Sequence, residues 1–566
     1  MSDGKWTRRR FLETVGAAGG AAAVYETMVA MGLIRTPEAF AGPPDLGPDH
    51  GKGKSVVILG AGIAGLTAAY ELHKAGYTVR VYEAKKRAGG RSFTVRRGDV
   101  IEETTGTRQV CHFDEGPQMY LNAGPGRLPY HHTAILHYCN VLGVDLEVYN
   151  MMTRANFFQT EKAWDGAAMT NRRIINDTRG WISDLLAKAI NKGCLDDQLH
   201  GTDKTGLLSL LSAFGDVEKD DNYDYKGSSR SGYAVEPGIV SCGKLLPPLT
   251  LADLVTSDFW DHRLMQSEEY EWQPTLFQPV HGMDHIWKGF LKKIPADLIH
   301  YGREVAGIHI DREKNKVTVR HRPSGSHDHG ESFTADWCIS TIPMPILAAI
   351  GDKNFSKEYD EAVNGVQFAP TCKVGWQTES RFWETQNQMY GGISYTNQNM
   401  TQMWYPSYAY FTQKGILTGA YNYDQDAIAM AKWNPRERLE QAMTEAKKLH
   451  PDFAKHVKLD LGVSIAWKQV PYQLGGWADD WSCTKEDDST GPIPEVLLKP
   501  DGRFWVAGDQ VSYLSGWQEG AVLSAHHVLD AIAQPKRRFM AAPAAVQVTP
   551  GLRTPPSVRR RTRGLP

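Results

Sequence analysis

The run Ser55-Val56-Val57-Ile58-Leu59, followed at once by Gly60-Ala61-Gly62-Ile63-Ala64-Gly65, constrains this chain more than any other stretch. A short β-branched apolar run is what a strand buried on both faces of a parallel sheet looks like. Leu66 to Ala75 then offers helix formers with an apolar face, and Gly76 supplies a C-cap. A second strand is expected over Thr78 to Tyr82, ending at Glu83, 23 residues after Gly60. Gly60 permits the tight turn, Gly62 lets the backbone approach a pyrophosphate, and Gly65 lets the helix pack on the strand. The helix start, which includes Ala64, presents free N–H groups and a positive dipole end to phosphate charge. Glu83 can accept both ribose hydroxyls of an adenosine and would repel a 2′-phosphate. Glycines at this spacing alone are a weak signal. Strand, glycines, helix, strand and acid in register are a strong one, and they specify a dinucleotide site in an α/β fold.

Length and charge bound what surrounds that site. At 566 residues the chain exceeds one ordinary domain, and a formal charge of -2 argues against a nucleic-acid binder. Seven cysteines (Cys111, Cys139, Cys194, Cys242, Cys338, Cys372, Cys483) are scattered without a C-x-x-C pair or metal spacing, so no metal site and no redox dithiol is expected. Residues 1–41 read as an export signal: Thr7-Arg8-Arg9-Arg10-Phe11-Leu12, a weakly apolar stretch from Val15 to Leu33, then Ala39-Phe40-Ala41. The paired arginines before Phe-Leu resemble the twin-arginine class, which sends already folded proteins to the periplasm or beyond. Glu13 and Glu26 fit such a segment poorly. Residues 42–54 read as a linker, and 535–566, with eight Lys or Arg and no acid, as a disordered basic tail. No apolar run is long enough to span a bilayer.

The residues after Glu83 narrow the dinucleotide. Ala88-Gly89-Gly90-Arg91-Ser92 resembles the GGR[ST] signature of the flavin amine oxidase superfamily, whose arginine meets the FAD phosphates. No second strand-GxGxxG-helix unit follows, so dioxygen rather than a pyridine nucleotide is the expected partner of the flavin. Arg503 to Asp509 reads as a strand ending in Gly508-Asp509, and Trp517 opens an amphipathic helix running to about Ala533. The resemblance implies that Asp509 bonds the ribityl chain and that the helix N-terminus, with Trp517, faces the flavin ring, where a dipole stabilises negative charge. It also implies that the backbone of Val305 lies against adenine, and it places His281-Gly282-Met283-Asp284 and Cys338 to Pro343 in the same domain. The likeness runs from Ser55 to about Ala533. The fold it implies is a Rossmann-like FAD-binding domain assembled from 55–105, 278–365 and 490–534. A mixed α+β substrate domain would take 106–170 and 366–489, and a helical domain with loop insertions 171–277. The polar stretches 191–206 and 218–238 within the last admit a lid, an interface or disorder.

Substrate class rests on other residues. Gly124-Pro125-Gly126-Arg127-Leu128-Pro129 resembles the GPxR[LI]P motif of L-amino acid oxidases, whose arginine holds the substrate α-carboxylate and whose loop, with Gly124, borders the flavin. Taken alone, the segment admits a structural arginine as well as a carboxylate clamp. Lys373 corresponds to the lysine that holds a water beside flavin N5, although a lysine on a strand is ordinarily just solvated. Tyr405, in Trp404-Tyr405-Pro406, corresponds to a second carboxylate contact. Gly516 and Trp517 correspond to one side of an aromatic cage, with Trp477 or the more core-like Trp467 as its opposite wall. The implied reaction is hydride transfer from Cα of an L-amino acid to flavin N5. Hydrolysis of the imino acid then yields a 2-oxo acid and ammonia, and reoxidation by dioxygen yields hydrogen peroxide. Amine oxidation without a carboxylate, amino acid 2-monooxygenation and non-catalytic flavin binding are the alternatives, and a homodimer is what the resemblance implies for assembly.

Overall fold

The computed structural model describes residues 42–218, 222–479 and 493–533. The expected export signal, the basic tail over 535–566 and Cys483 lie outside them.

Five short strands from widely separated segments form one parallel sheet, in the order Ile299–Tyr301, Thr78–Glu83, Ser55–Leu59, Trp337–Ser340, Phe504–Val506. The central strand explains its own composition: Val56 to Leu59 have no exposed surface, because each face of the sheet packs on a separate apolar core. The helices Ile63–Lys74 and Gln518–Ala533 contribute to one core, and the antiparallel strands Arg303–Asp311 and Lys316–Pro323 to the other. Residues 42–54 are not a free linker. Gly51 N–H donates to Ala75 O (2.8 Å), Thr78 N–H donates to Lys54 O (3.0 Å), and Leu46 is buried in the first core. Gly51 permits this because a Cβ there would lie 2.2 Å from the Tyr77 ring.

A seven-stranded sheet stands beside it, in the order Met169–Thr170, Phe157–Gln159, Ile393–Thr396, Gln402–Trp404, Gly415–Tyr423, Thr371–Thr378, Val457–Ala466. Thr371–Thr378 is buried at every position, so one side of its pleat is core and the other faces a cavity. The helix Pro435–Leu449, started by a capping box between Asn434 and Glu437, covers the core side.

The insertion after Thr170 holds the helices Asn171–Asn191, Gly201–Gly215 and Leu251–Thr256. Part of the stretch expected as loop, from Gly201, is helical, and the remaining turns are tied down. Fully buried Asp177 accepts from the Tyr225 hydroxyl (2.7 Å) and from Leu249 N–H (2.8 Å). The short turn Tyr270–Trp272 carries the insertion back to the main body. Among the described residues no helix is long and apolar enough to cross a membrane.

Candidate active site

A cavity of about 760 Å3 opens between the two large sheets. At one end lies the glycine turn. Gly60 has φ +100°, and a Cβ there would meet Thr341 Oγ1 at 2.5 Å. A Cβ on Gly65 would lie 2.1 Å from Gly60 O, whereas one on Gly62 would have no protein atom within 4 Å. The turn therefore packs on its inner side and leaves its outer side to the cavity, which Ala64 also lines. Glu83 is buried at the same end. Its Oε2 accepts from Ala61 N–H and its Oε1 from Lys85 N–H, each at 2.8 Å, leaving lone pairs for ribose hydroxyls. Val305, Glu304 and Arg322 line the cavity beyond it.

Arg91 and Asp509 close the middle. They form an ion pair across 418 residues of sequence. Arg91 also donates to Gly476 O (2.7 Å), and Asp509 accepts from Gly516 N–H (3.0 Å). Gly508 adopts φ +127° where the chain turns out of its strand toward Asp509. Sequence reasoning directed Arg91 to phosphate and Asp509 to the ribityl chain as separate contacts; here each also holds the other.

The far end is aromatic and cationic. Arg127 is 6% exposed, its Nη1 has no hydrogen-bond partner, and it forms no ion pair among the described residues. Its guanidinium carbon lies 4.2 Å from the centroid of Trp272, 4.7 Å from Trp404 and 5.7 Å from Tyr149. The Tyr149 hydroxyl is buried beside it, and the guanidinium opposes the rise in pKa that burial gives that phenol. The motif's glycines have steric reasons: a Cβ on Gly126 would lie 2.8 Å from Trp404, and one on Gly124 1.9 Å from Arg91 O. Lys373, 2% exposed, donates to Gly124 O (2.5 Å) and Asn122 O (3.1 Å), with its Nζ over Trp404 and Tyr421 at 4.3 and 4.8 Å. Burial, helped by the charge of Arg127, lowers its pKa well below the usual lysine value. A resting positive charge on this lysine is therefore opposed by its surroundings.

Strand register explains which side chains meet here. Lys373 pairs with Tyr421, and Tyr421 with Gln402, so all three share the cavity face. Two residues along each strand, Thr371, Tyr423 and Trp404 share it too. Tyr405, expected on the substrate, falls on the other face. Its hydroxyl is bonded to Ser394 Oγ (2.9 Å) and His450 Nε2 (2.7 Å), and its ring packs in the core behind the sheet. Trp517, Trp477 and Gly516 line the cavity, and Gly516 has φ +79°. Trp467 lines it as well, with its Nε1 donating to Ala123 O (2.9 Å). Trp272, 5.0 Å from Trp517, was not anticipated, and neither were Tyr421 and Tyr149. Only Trp404 carried a signal, as the neighbour of the wrong choice.

A turn whose outer side accepts a pyrophosphate, an acid for the ribose and a second loop 400 residues on fit a flavin dinucleotide. A family model described as flavin containing amine oxidoreductase matches residues 63–533. The chain is 25% identical over 515 residues to a flavin-dependent L-tryptophan oxidase of Lentzea aerocolonigenes, covering 85% of this chain and 98% of that protein. It is 24% identical over 483 residues to an L-amino-acid oxidase of Vipera ammodytes ammodytes, covering 83% and 91%. Among solved structures, putrescine oxidase with bound putrescine matches with a TM-score of 0.54 at 17% identity, over 85% of this chain and 99% of that one. Cyclohexylamine oxidase from Brevibacterium oxydans IH-35A matches with 0.54 at 17%, over 86% and 100%. At that identity the two structures show the shared fold alone.

Proposed function

The chain belongs to the flavin-containing amine oxidoreductases, with FAD as its cofactor, and we propose that within that family it is an L-amino acid oxidase. The observation that carries this reading is Arg127, a buried guanidinium without a counter-ion among the described residues, which borders the cavity between aromatic walls. A buried cation left unpaired is costly, and a planar carboxylate is the anion its fork matches. A substrate amine without a carboxylate would leave that cost in place. The relatives named as L-tryptophan and L-amino-acid oxidases support the same choice.

Bound FAD supplies the two-electron acceptor, which dioxygen restores with release of hydrogen peroxide. The protein's own contribution is placement. Arg127 fixes the carboxylate, and Trp272, Trp404 and Trp517 exclude water around it. Lys373 donates to two carbonyls and burial disfavours its charged form; in the neutral form its amine keeps a lone pair that can accept from water or from the substrate ammonium. The product imino acid is hydrolysed to a 2-oxo acid and ammonia.

The test is peroxide release from the twenty L-amino acids and from the amines obtained by decarboxylating them. Turnover of phenylalanine or another amino acid with none of its amine is expected, and the 2-oxo acid rather than an amide as product. Arg127→Met should keep its flavin and lose about 100-fold or more in kcat/KM, the scale of a broken buried pair. Equal turnover of amine and amino acid would sink the assignment.

A further inference from the structure

We propose that His131, His132 and Glu271 form a binding site for a divalent cation of the zinc class, stapling the helical insertion to the active-site wall. The two histidines lie between the strand Leu128–Pro129 and the helix Thr133–Val141, whereas Glu271 belongs to the turn Tyr270–Trp272 of the insertion. One ligand atom from each lies within 4.8 Å of the others. Both imidazoles converge on a single carboxylate oxygen: His131 Nε2 is 3.0 Å and His132 Nε2 2.7 Å from Glu271 Oε2.

Two imidazole nitrogens and one carboxylate oxygen are the donor set of a three-ligand zinc centre, whose fourth position goes to water. Metal–ligand bonds of about 2.0–2.2 Å hold tetrahedral donors roughly 3.3 Å apart, so each histidine nitrogen needs to draw back from Glu271 Oε2 by only a few tenths of an ångström. The surroundings suit a site that a cation can enter and then occupy. The His132 side chain is 2% exposed and that of His131 11%, while Glu271 keeps 27% and opens the site to solvent. Sequence spacing hid the site, because Glu271 stands 139 residues from His132.

Its place in the fold gives it a consequence. His132 meets Trp517 edge-on at 5.0 Å, and Trp272, the residue after Glu271, packs against both Trp517 and Arg127. A cation there joins the insertion to the segment that follows the Arg127 motif, and holds the aromatic wall without entering the cavity chemistry. The inference does not depend on which amine is oxidised.

FAD-loaded protein, treated with EDTA and desalted, should take up one equivalent of zinc or cobalt(II) per chain by elemental analysis. The cobalt form should show the intense visible ligand-field bands of four-coordination, and zinc should raise the melting temperature. His131→Ala and Glu271→Gln should each lose the bound metal, the cobalt bands and the thermal shift while keeping the flavin spectrum. Should Glu271→Gln fail to retain flavin, His131→Ala decides alone. Failure of the wild-type protein to bind a stoichiometric cation, or undiminished binding in the variants, would overturn the proposal.

Discussion

Arg127 and Trp272 stack at 4.2 Å across the joint between the main body and the helical insertion. The insertion thus builds one wall of the cavity. A guanidinium over a desolvated tryptophan is worth about 2 kcal/mol, and the ring limits the positions the fork can take.

Trp272→Ala should therefore raise KM for the amino acid roughly 10- to 30-fold, the equivalent of about 2 kcal/mol, with flavin retained. Trp272→Phe should recover most of that. Steady-state kinetics of the two variants check it, and an unchanged KM in Trp272→Ala would place the ring outside the substrate contact.

The ion pair between Arg91 and Asp509 makes a second prediction. Their side chains are 22% and 8% exposed, so removing the acid strands a largely desolvated cation beside the flavin loops. Asp509→Ala should lower stability by about 2–3 kcal/mol and yield protein with less than one flavin per chain. Flavin absorbance against protein content, with thermal melting, measures both effects. Asp509→Asn, which can still accept from Gly516 N–H, should fall between the two.

Tyr405 supplies the contrast. Its hydroxyl serves Ser394 and His450 behind the sheet, so Tyr405→Phe should leave KM and kcat within about twofold. The loss should appear as roughly 1 kcal/mol of stability, since two buried groups each lose a partner. A large rise in KM would return Tyr405 to the substrate.

That misplacement shows where the sequence stops being legible. The dinucleotide turn was readable because all its parts lie between Ser55 and Ser92, and each residue's role follows from local geometry. Trp404 ends the three-residue strand Gln402–Trp404 and Tyr405 follows it, and which of the two faces the cavity is fixed by pairing to Gly415–Tyr423, with a register shift between Gln402 and Trp404. No local pattern carries that shift. Trp272 comes from an insertion without periodicity, and the pairing of Arg91 with Asp509 is a product of chain return that spacing cannot show. The Arg127 motif was legible as a unit because its two glycines have steric reasons, one against Arg91 O and one against the overlying Trp404 ring.

His450, the partner of Tyr405, sets a pH dependence of stability. Burial holds its folded pKa down to about 4, against about 6.5 for a free imidazole; Asp452 opposes that shift weakly and His456 adds to it. Between those values the unfolded chain binds a proton that the native protein does not, so stability rises with pH across the window. The contribution is fully present above 6.5 and is lost as pH falls through 4. Its size is about 3 kcal/mol, from the same shift. His526 is held down to about 4 as well, again chiefly by burial, and adds in the same direction. Urea midpoints between pH 4 and 7 should therefore fall steeply on acidification in the wild-type protein. His450→Gln should remove about half of that histidine-linked slope while leaving the part due to His526. A variant that acid-unfolds along the wild-type curve would mean that His450 is hydrated and charged in the native state.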